Sequence, residues 1–496
     1  MQPKICLTLT GKTIAEDLEI LEKYRSSIDM VELRADFLED NERIKIRDFP
    51  NMANISSILT IRRQVDGGQF VEGEASRTII FARALSYAGD EKKKNFDYVD
   101  FEEDFNVPSL QDAALAFGTK IIRSVHYMDR PITGIANRLE KLRKNDFEIP
   151  KIAFMPKSLD DVTRLFQEAK DFKDSNHIVV AMGKLGLPSR ILSAKLKNFL
   201  TFTSAPENLS NTSSIGHIDP VTLNETYHFH KITDKTRIFG ITGWPLDGTS
   251  SPALHNAGFV KHGLDAVYIP MPAERIDEVF RFAQAVNVEG FSVTVPHKET
   301  ALEYLTKTDP KVDEIGACNT VVRENGVWKG YNTDTGGFSK ALLEFLGRKN
   351  LAHKKVAIIG AGGASHAICH AVKKLKGDAC VFNRTFSKAK ALAERFGFKY
   401  AVLSYDSIND LKKYSDIIIQ TTSKGMHDTN PSNEKNDPLY FYDFSGRELL
   451  FDIIYMPEIT PVMAKAAKQG CRVCNGYGML KSQGEEQFKL FTGLDL

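Results

Sequence analysis

Two groups of residues in this sequence have the types and spacing to do chemistry. In the first half, short apolar runs end in charged or hydroxylated side chains: Glu32 and Arg34, Arg62 and Arg63, Glu102 and Glu103, then His126, Lys157, Arg190 and Ser204. A single charge at the end of a strand is usually a solvated loop residue, whereas a ring of them at the same end of successive runs defines a site. Two arginines and a serine suit a polyhydroxy carboxylate, because guanidinium forks match carboxylate oxygens. A lysine facing an apolar interior suits imine formation, since desolvation and cationic neighbours favour the free amine. In the second half, Lys298 and Asp334 are candidates for the proton donor, and the partner that orients it, in a ketone reductase. Spacing alone does not select that pair, because lysine–aspartate pairs are common on surfaces.

The elements that must carry these groups repeat. Continuously apolar runs at Ile5–Leu9, Met30–Leu33, Ser57–Ile61, Tyr98–Phe101, Lys120–Ser124, Lys151–Met155, His177–Met182 and Phe199–Thr203 read as parallel strands covered on both faces. Between them Thr13–Arg25, Glu74–Ala88 and Asp160–Ala169 carry apolar residues at helical spacing. Eight such units predict a small (β/α)8 barrel with its site at the C-terminal strand ends. Asn208–Asp219 is polar and reads as a loop or linker, followed by Pro220–Thr233 with His228 and His230 but no third ligand placed with them.

A second architecture begins at Arg237. Strands at Arg237–Thr242, Ala266–Pro270, Gly290–Val295 and Asn319–Arg323 predict an α/β lobe. Then Lys355–Ile359, the turn Gly360-Ala361-Gly362-Gly363-Ala364 and the helical run Ser365–Lys374 give the strand–glycine–helix order of a dinucleotide site. The next strand, Ala379–Phe382, leads into Asn383-Arg384-Thr385, where an NAD enzyme would place an acidic residue on the ribose. A cation there suits a 2′-phosphate, so the expected cofactor is NADP(H). Strands at Asp416–Gln420 and Leu449–Ile454 complete a doubly wound sheet.

The motifs Val31–Arg34, Ser124–His126, Met155–Ser158 and Leu187–Arg190 resemble type I 3-dehydroquinate dehydratase. The resemblance implies that Lys157 forms the imine, that His126 is the proton-transfer base, and that Glu32, Arg34, Arg62, Arg190 and Ser204 bind substrate. Departures are Asp66-Gly67-Gly68 for Glu-Gly-Gly, and Ser204-Ala205-Pro206-Glu207-Asn208 for Ser-Ala-Pro-Gly-Gln, with Asn208 in the lid position. Ser292–Lys298, Gly316–Thr320 and Gly330–Asp334 closely resemble shikimate dehydrogenase. That resemblance implies Lys298 and Asp334 as the catalytic pair, with Thr249, Ser251, Thr294, Asn319, Tyr455 and Gln483 on the substrate. It places the cofactor on Gly360 to Ala364, Asn383, Arg384, Thr385 and the Thr422–Met426 loop, which includes Ser423. Thr249 and Ser292 stand where the family more often has Ser and Asn.

The expected division is a barrel over residues 1–218, a linker over 219–236, a substrate lobe over 237–334, an NADP domain over 335–475 and a returning C-terminal helix over 476–496. The expected function is bifunctional: dehydration of 3-dehydroquinate in the first half, then NADPH-dependent reduction of 3-dehydroshikimate, on the route to aromatic precursors. Rival readings are a non-catalytic metabolite sensor, a quinate dehydrogenase in the second half and a barrel aldolase in the first. The net charge of 65 − 64 = +1 argues against nucleic acid as a partner. No apolar run reaches membrane-span length, and the N-terminal residues are not expected to be a secretory or transit signal. Cys6, Cys318, Cys369 and Cys380 are scattered and Cys471 and Cys474 form a lone CxxC with no second pair, which argues for a reducing compartment, with a cytoplasmic monomer or homodimer and no metal as the expectation.

Overall fold

The computed structural model describes residues 2–85, 94–174, 176–212, 215–246 and 248–496. Its contacts group the chain into two compact units, one of Met1–Ile238 with Phe259–Val288, the other of Phe239–Gly258 with Glu289–Leu496.

The first unit is built on eight parallel strands: β1 (Lys4–Leu9), β2 (Met30–Arg34), β3 (Ser56–Thr60), β4 (Tyr98–Glu102), β5 (Lys120–Tyr127), β6 (Glu148–Phe154), β7 (Ile178–Ala181) and β8 (Leu200–Ser204). They are ordered β7-β6-β5-β4-β3-β2-β1-β8, a nearly closed barrel. The eight apolar runs of the sequence are these eight strands, but β6 starts three residues earlier than expected. The segments expected to be helical are helices at Ile14–Tyr24, Glu74–Ala84 and Leu159–Glu168; residues 86–88 of the second expectation lie outside the described residues.

The barrel interior is layered by the two-residue period of a strand. An apolar plug contains Cys6, Met30, Ile58, Tyr98, Ile122 and Ile149. Two residues further along each strand stand Thr8, Glu32, Thr60, Asp100, Ser124 and Lys151, all buried. The polar layer thus rests on a dry floor and opens toward the C-terminal strand ends.

The helix Ile276–Val286, which lies within the 237–334 segment expected to form the substrate lobe, belongs to the first unit. It packs on Leu159–Glu168 through an edge-on Phe166–Phe282 contact at 5.8 Å. Arg281 donates to Asp160 at 2.8 Å, and Glu278 accepts from the Leu159 amide at 3.0 Å. Along the chain, β9 (Arg237–Thr242) and β10 (Ala266–Pro270) precede β11 (Val288–Val293), β12 (Lys307–Thr308), β13 (Thr320–Glu324) and β14 (Val327–Tyr331). In the second unit β11 and β13, and β13 and β14, pair antiparallel, while β12 lies parallel to β14.

The remaining strands are β15 (Lys355–Ile359), β16 (Asp378–Asn383), β17 (Lys399–Val402), β18 (Ile417–Gln420), β19 (Leu449–Asp452) and β20 (Arg472–Cys474). They form an all-parallel sheet in the order β17-β16-β15-β18-β19-β20. Counting from β15 this is 3-2-1-4-5-6, the doubly wound arrangement that binds dinucleotides at its switch point. β12, β14, β17 and β20 are short or half-exposed and were not anticipated.

Candidate active sites

In the barrel, a cavity of about 70 Å³ is lined by residues that include Glu32, Arg34, Arg62, His126, Lys151 and His217. The lysine on this wall is Lys151, 5% exposed. Its Nζ donates to Asp100 at 2.8 Å, stands 3.9 Å from Glu32 and lies 4.3 Å from the Phe202 ring centre. Lys157 is corrected by this placement. The strand ends at Phe154, so Lys157 falls in the turn before the helix Leu159–Glu168. Its backbone amide joins the cap by donating to Asp161 at 2.9 Å, and its side chain is exposed.

Arg62 ties the polar layer together. It donates to Asp100 at 2.9 Å, Glu102 at 3.1 Å, Ser124 at 3.0 Å and His126 Nδ1 at 3.2 Å. Burial alone would raise the Asp100 carboxyl, but Arg62 and Lys151 hold it well below the usual carboxylate range. Glu102, which also accepts from Arg77, is raised by burial more than its two arginines lower it. Burial, reinforced by Arg62 and Lys151, pushes His126 well below 6.5 against the opposing pull of Asp100. His126 is therefore neutral near pH 7, as a proton acceptor must be. Because guanidinium only donates, Nδ1 is the acceptor in this arrangement and the ring proton sits on Nε2.

Arg34 is matched by Asp36 in a two-bond pair at 2.9 and 2.8 Å. Glu32 accepts from Thr60 at 2.8 Å and Thr8 at 3.1 Å. Arg190 and Ser204 do not line the cavity themselves but hold two residues that do: Arg190 donates to the Ile215 carbonyl, and Ser204 Oγ bonds His217 Nδ1 at 2.6 Å. Asn208 is not among the residues that line the cavity and sits in the turn Pro206–Asn208, while the neighbouring Glu207 pairs with Lys23 and Tyr24. The polar segment expected to be a linker instead returns to the barrel, with a bridge between Thr203 and Ile218; residues 213 and 214 lie outside the described residues.

The second unit holds a cavity of about 440 Å³ lined by Lys298, Asp334, Thr249, Ser251, Thr294, Asn319, Tyr455 and Gln483, among others. Lys298 and Asp334 are 8% and 4% exposed, and Lys298 Nζ donates to Asp334 Oδ2 at 2.6 Å. Asn319 donates to Asp334 Oδ1 at 2.9 Å and accepts from the Thr333 amide at 2.9 Å. The C-terminal helix Tyr477–Thr492 supplies Gln483, whose Oε1 is 3.3 Å from Asn319 Nδ2, and Gln487, which bonds Ser292 and Thr320 at 2.8 and 2.9 Å. Ser292 therefore braces the returning helix.

The nucleotide side of this cavity is formed by Gly362, Gly363, Ala364, Thr422, Ser423 and Met426. Gly360 has φ +117°, and a Cβ there would meet Thr421 Oγ1 at 2.5 Å. A Cβ on Gly363 would lie 2.8 Å from the Lys298 Cβ. The amide end of the helix Gly363–Lys374 is thereby pressed against the stem of the lysine. Asn383, at the end of β16, donates to the Thr385 carbonyl at 3.0 Å. Arg384 is exposed, and among the described residues no carboxylate pairs with it. These residues fit a dinucleotide bearing a 2′-phosphate. Among the described residues no group of three or more His, Cys, Asp or Glu side chains is placed to hold a metal ion.

A barrel with a buried lysine beside a neutral histidine, joined in one chain to a dinucleotide fold with a buried Lys–Asp pair, defines an enzyme with two centres, a lyase and an NADP-dependent oxidoreductase. Sequence-family comparison matches type I 3-dehydroquinase over residues 5–234, the shikimate dehydrogenase substrate binding domain over 241–321 and shikimate / quinate 5-dehydrogenase over 343–465. The chain belongs to the shikimate dehydrogenase family through its second half and carries a type I 3-dehydroquinase domain in its first. A shikimate dehydrogenase (NADP(+)) of Caldanaerobacter subterraneus is 38% identical over 269 residues, 53% of this chain and 94% of its own. The bifunctional 3-dehydroquinate dehydratase/shikimate dehydrogenase of Arabidopsis thaliana, a chloroplastic protein, is 29% identical over 96% of this chain and 80% of its own. A solved dehydroquinate dehydratase and shikimate dehydrogenase from S. pombe aligns over 100% of this chain and 96% of its own, with 23% identity and a TM-score of 0.42.

Proposed function

We propose that the chain performs two consecutive steps, dehydrating 3-dehydroquinate to 3-dehydroshikimate in the barrel and reducing that ketone to shikimate in the second unit. The observation that carries the first step is Lys151, the lysine on the cavity wall with His126. Its amine adds to the substrate ketone and expels water, and the iminium acidifies the neighbouring C–H by drawing the carbanion into an enamine. His126 takes the C2 proton and returns it to the departing C1 hydroxyl, which leaves as water; hydrolysis then frees Lys151. Since Arg62 donates to His126 Nδ1, its turn toward substrate hydroxyls uncovers the base. Asp100 keeps Lys151 and Arg62 in place, and Arg34 and Glu32 bind the ring hydroxyls.

In the second step Lys298 gives its proton to the carbonyl oxygen, Asp334 orients the amine, and Thr249, Ser251, Thr294, Asn319, Tyr455 and Gln483 hold the polyol carboxylate. Bound NADPH supplies the hydride. Gly360 to Ala364 with Thr422, Ser423 and Met426 cradle the cofactor, and Asn383, Arg384 and Thr385 take its 2′-phosphate. Quinate is the competing substrate; the two hydroxyls of Thr249 and Ser251, both on the cavity wall, favour the shikimate carboxylate.

The functional division that goes with this reading keeps the barrel within 1–218, the connection in 219–236, the substrate lobe in 237–334, the NADP domain in 335–475 and the closing helix in 476–496. All six cysteines are free thiols, which supports a reducing compartment, and the proposed form is a cytoplasmic monomer or homodimer acting on small molecules without nucleic acid or membrane. Among the described residues no helix is long and apolar enough to cross a membrane. The test is K151A: dehydration is lost while shikimate-dependent NADP reduction stays near normal. Retained dehydration would remove Lys151 from the mechanism.

A further inference from the structure

Two loops that line the larger cavity share a buried support that the proposed mechanism does not use. The loop after β18 carries Thr422, Ser423 and Met426, and the loop after β19 carries Ile454, Tyr455 and Met456. Each of these strands ends in a fully buried polar side chain, Gln420 on β18 and Asp452 on β19. The register of the two strands sets Gln420 opposite Asp452.

Gln420 folds its amide back over the loop it precedes. Its Oε1 accepts from the Thr422 amide, and its Nε2 donates to the Thr422 carbonyl at 3.0 Å. The Lys424 carbonyl lies 3.4 Å from the same nitrogen, and Asp452 Oδ1 lies 3.3 Å from it. With an N–H facing Oε1 and three acceptors around Nε2, the amide has one orientation. Asp452 completes the arrangement from the neighbouring strand. Its Oδ1 also accepts from the Ile454 amide at 3.0 Å, and its Oδ2 accepts from Thr460 Oγ1 at 2.7 Å. Thr460 in turn caps the helix Pro461–Lys468 by accepting from the Met463 amide at 3.4 Å. These donors are all neutral, and burial lifts the Asp452 carboxyl to about 7. Oδ1 is thus joined to both loops, to the first through Gln420 and to the second through the amide next to Tyr455. At the rim the His427 amide ties the same two loops by donating to the Met456 carbonyl at 3.2 Å.

We infer that Gln420 and Asp452 are positioning residues for the reduction: Gln420 sets the loop that holds NADPH, and Asp452 sets that loop and the Tyr455 loop together. This rests on the dehydrogenase reading of the second unit. A change at Gln420 therefore acts on the cofactor, whereas a change at Asp452 acts on cofactor and substrate at once.

The experiment is steady-state reduction of 3-dehydroshikimate by NADPH with the full-length wild type, Q420A, D452A and D452N, alongside NADPH affinity by fluorescence. Displacing a site by about 1 Å is worth on the order of 100-fold in rate. D452A raises KM for both NADPH and 3-dehydroshikimate, roughly 10-fold or more each. Q420A raises KM for NADPH by a like factor and leaves that for 3-dehydroshikimate within about twofold of wild type. D452N keeps an oxygen for Gln420 and Ile454 and turns its NH2 to the Thr460 hydroxyl, which can accept, so it recovers most of the loss. Unchanged KM values in D452A, or a loss in D452N equal to that in D452A, overturn the role of Asp452. Equal losses for both ligands in Q420A overturn the division between the loops. Should D452A fail to fold, the selective NADPH loss in Q420A decides alone, and wild-type NADPH affinity in that variant overturns the proposal. A wild type that binds NADPH yet does not reduce 3-dehydroshikimate would strike the dehydrogenase reading itself, while the fluorescence titrations still report Gln420 and Asp452.

Discussion

Replacing Asp334 by Asn changes one atom and breaks the second site in a calculable way. Asp334 Oδ2 accepts from Lys298 at 2.6 Å and Oδ1 from Asn319 at 2.9 Å. An amide has a single oxygen, so in either orientation its NH2 faces another donor: the Lys298 ammonium or the Asn319 amide. With both side chains nearly buried, a cation is left without its counter-charge, a change worth about 3–5 kcal/mol. The catalytic consequence is loss of the oriented proton donor, about 10²–10⁴ in kcat for general acid–base work. The assay is NADPH absorbance in both directions with the full chain, alongside NADPH binding by fluorescence and denaturant unfolding followed by dehydrogenase activity. D334N is expected to bind NADPH, to unfold at lower denaturant and to turn over at least a hundredfold more slowly, roughly the lower bound above. Dehydratase activity of the same chain stays unchanged. A kcat within a few-fold of wild type would refute the pairing, and parallel loss of dehydration would refute the independence of the two sites.

Three further outcomes follow from the geometry. R384A weakens NADPH roughly 10- to 100-fold, the range for a charged hydrogen bond, and leaves NADH almost unaffected; equal losses in cofactor titrations would remove the 2′-phosphate contact. His126 is held below 6.5, so the acid limb of dehydratase kcat/KM lies below pH 6.5; a limb above that value contradicts the buried neutral base. His126 and His217 are both lowered, chiefly by burial, so the unfolded chain binds more protons as pH falls through 6.5. Stability of the first unit is therefore full above that pH and declines below it, which unfolding curves across the acid range would check; acid-independent stability would contradict it.

Local order carried most of what could be seen in advance. Strand, glycine turn and helix at Lys355–Lys374 are contiguous, and the structure has them in that order. The eight strand runs were visible because strands buried on both faces are continuously apolar. Choosing between Lys157 and Lys151 needed the strand's phase. Counted in twos from the apolar floor, Lys151 follows Ile149 as Glu32 follows Met30 and Asp100 follows Tyr98, a signal present in the sequence that strand-end reasoning passes over. His217 had no such signal. Its segment is polar, like any linker, and reaches the cavity only because Thr203 bridges Ile218. Lys298 and Asp334 are 36 residues apart, and only tertiary packing selects them from many possible pairs. Arg190 was placed among the substrate ligands on resemblance; that no carboxylate pairs with it among the described residues is visible only once the fold is known.

The central claim is that Lys151 forms the covalent intermediate, and borohydride reduction in the presence of 3-dehydroquinate, followed by peptide mass mapping, tests it most directly. A reduced adduct is expected on the peptide containing Lys151, none on Lys157, and no adduct in K151A. An adduct on Lys157, or a fully active chain that cannot be trapped under conditions that label another imine-forming enzyme, would contradict it.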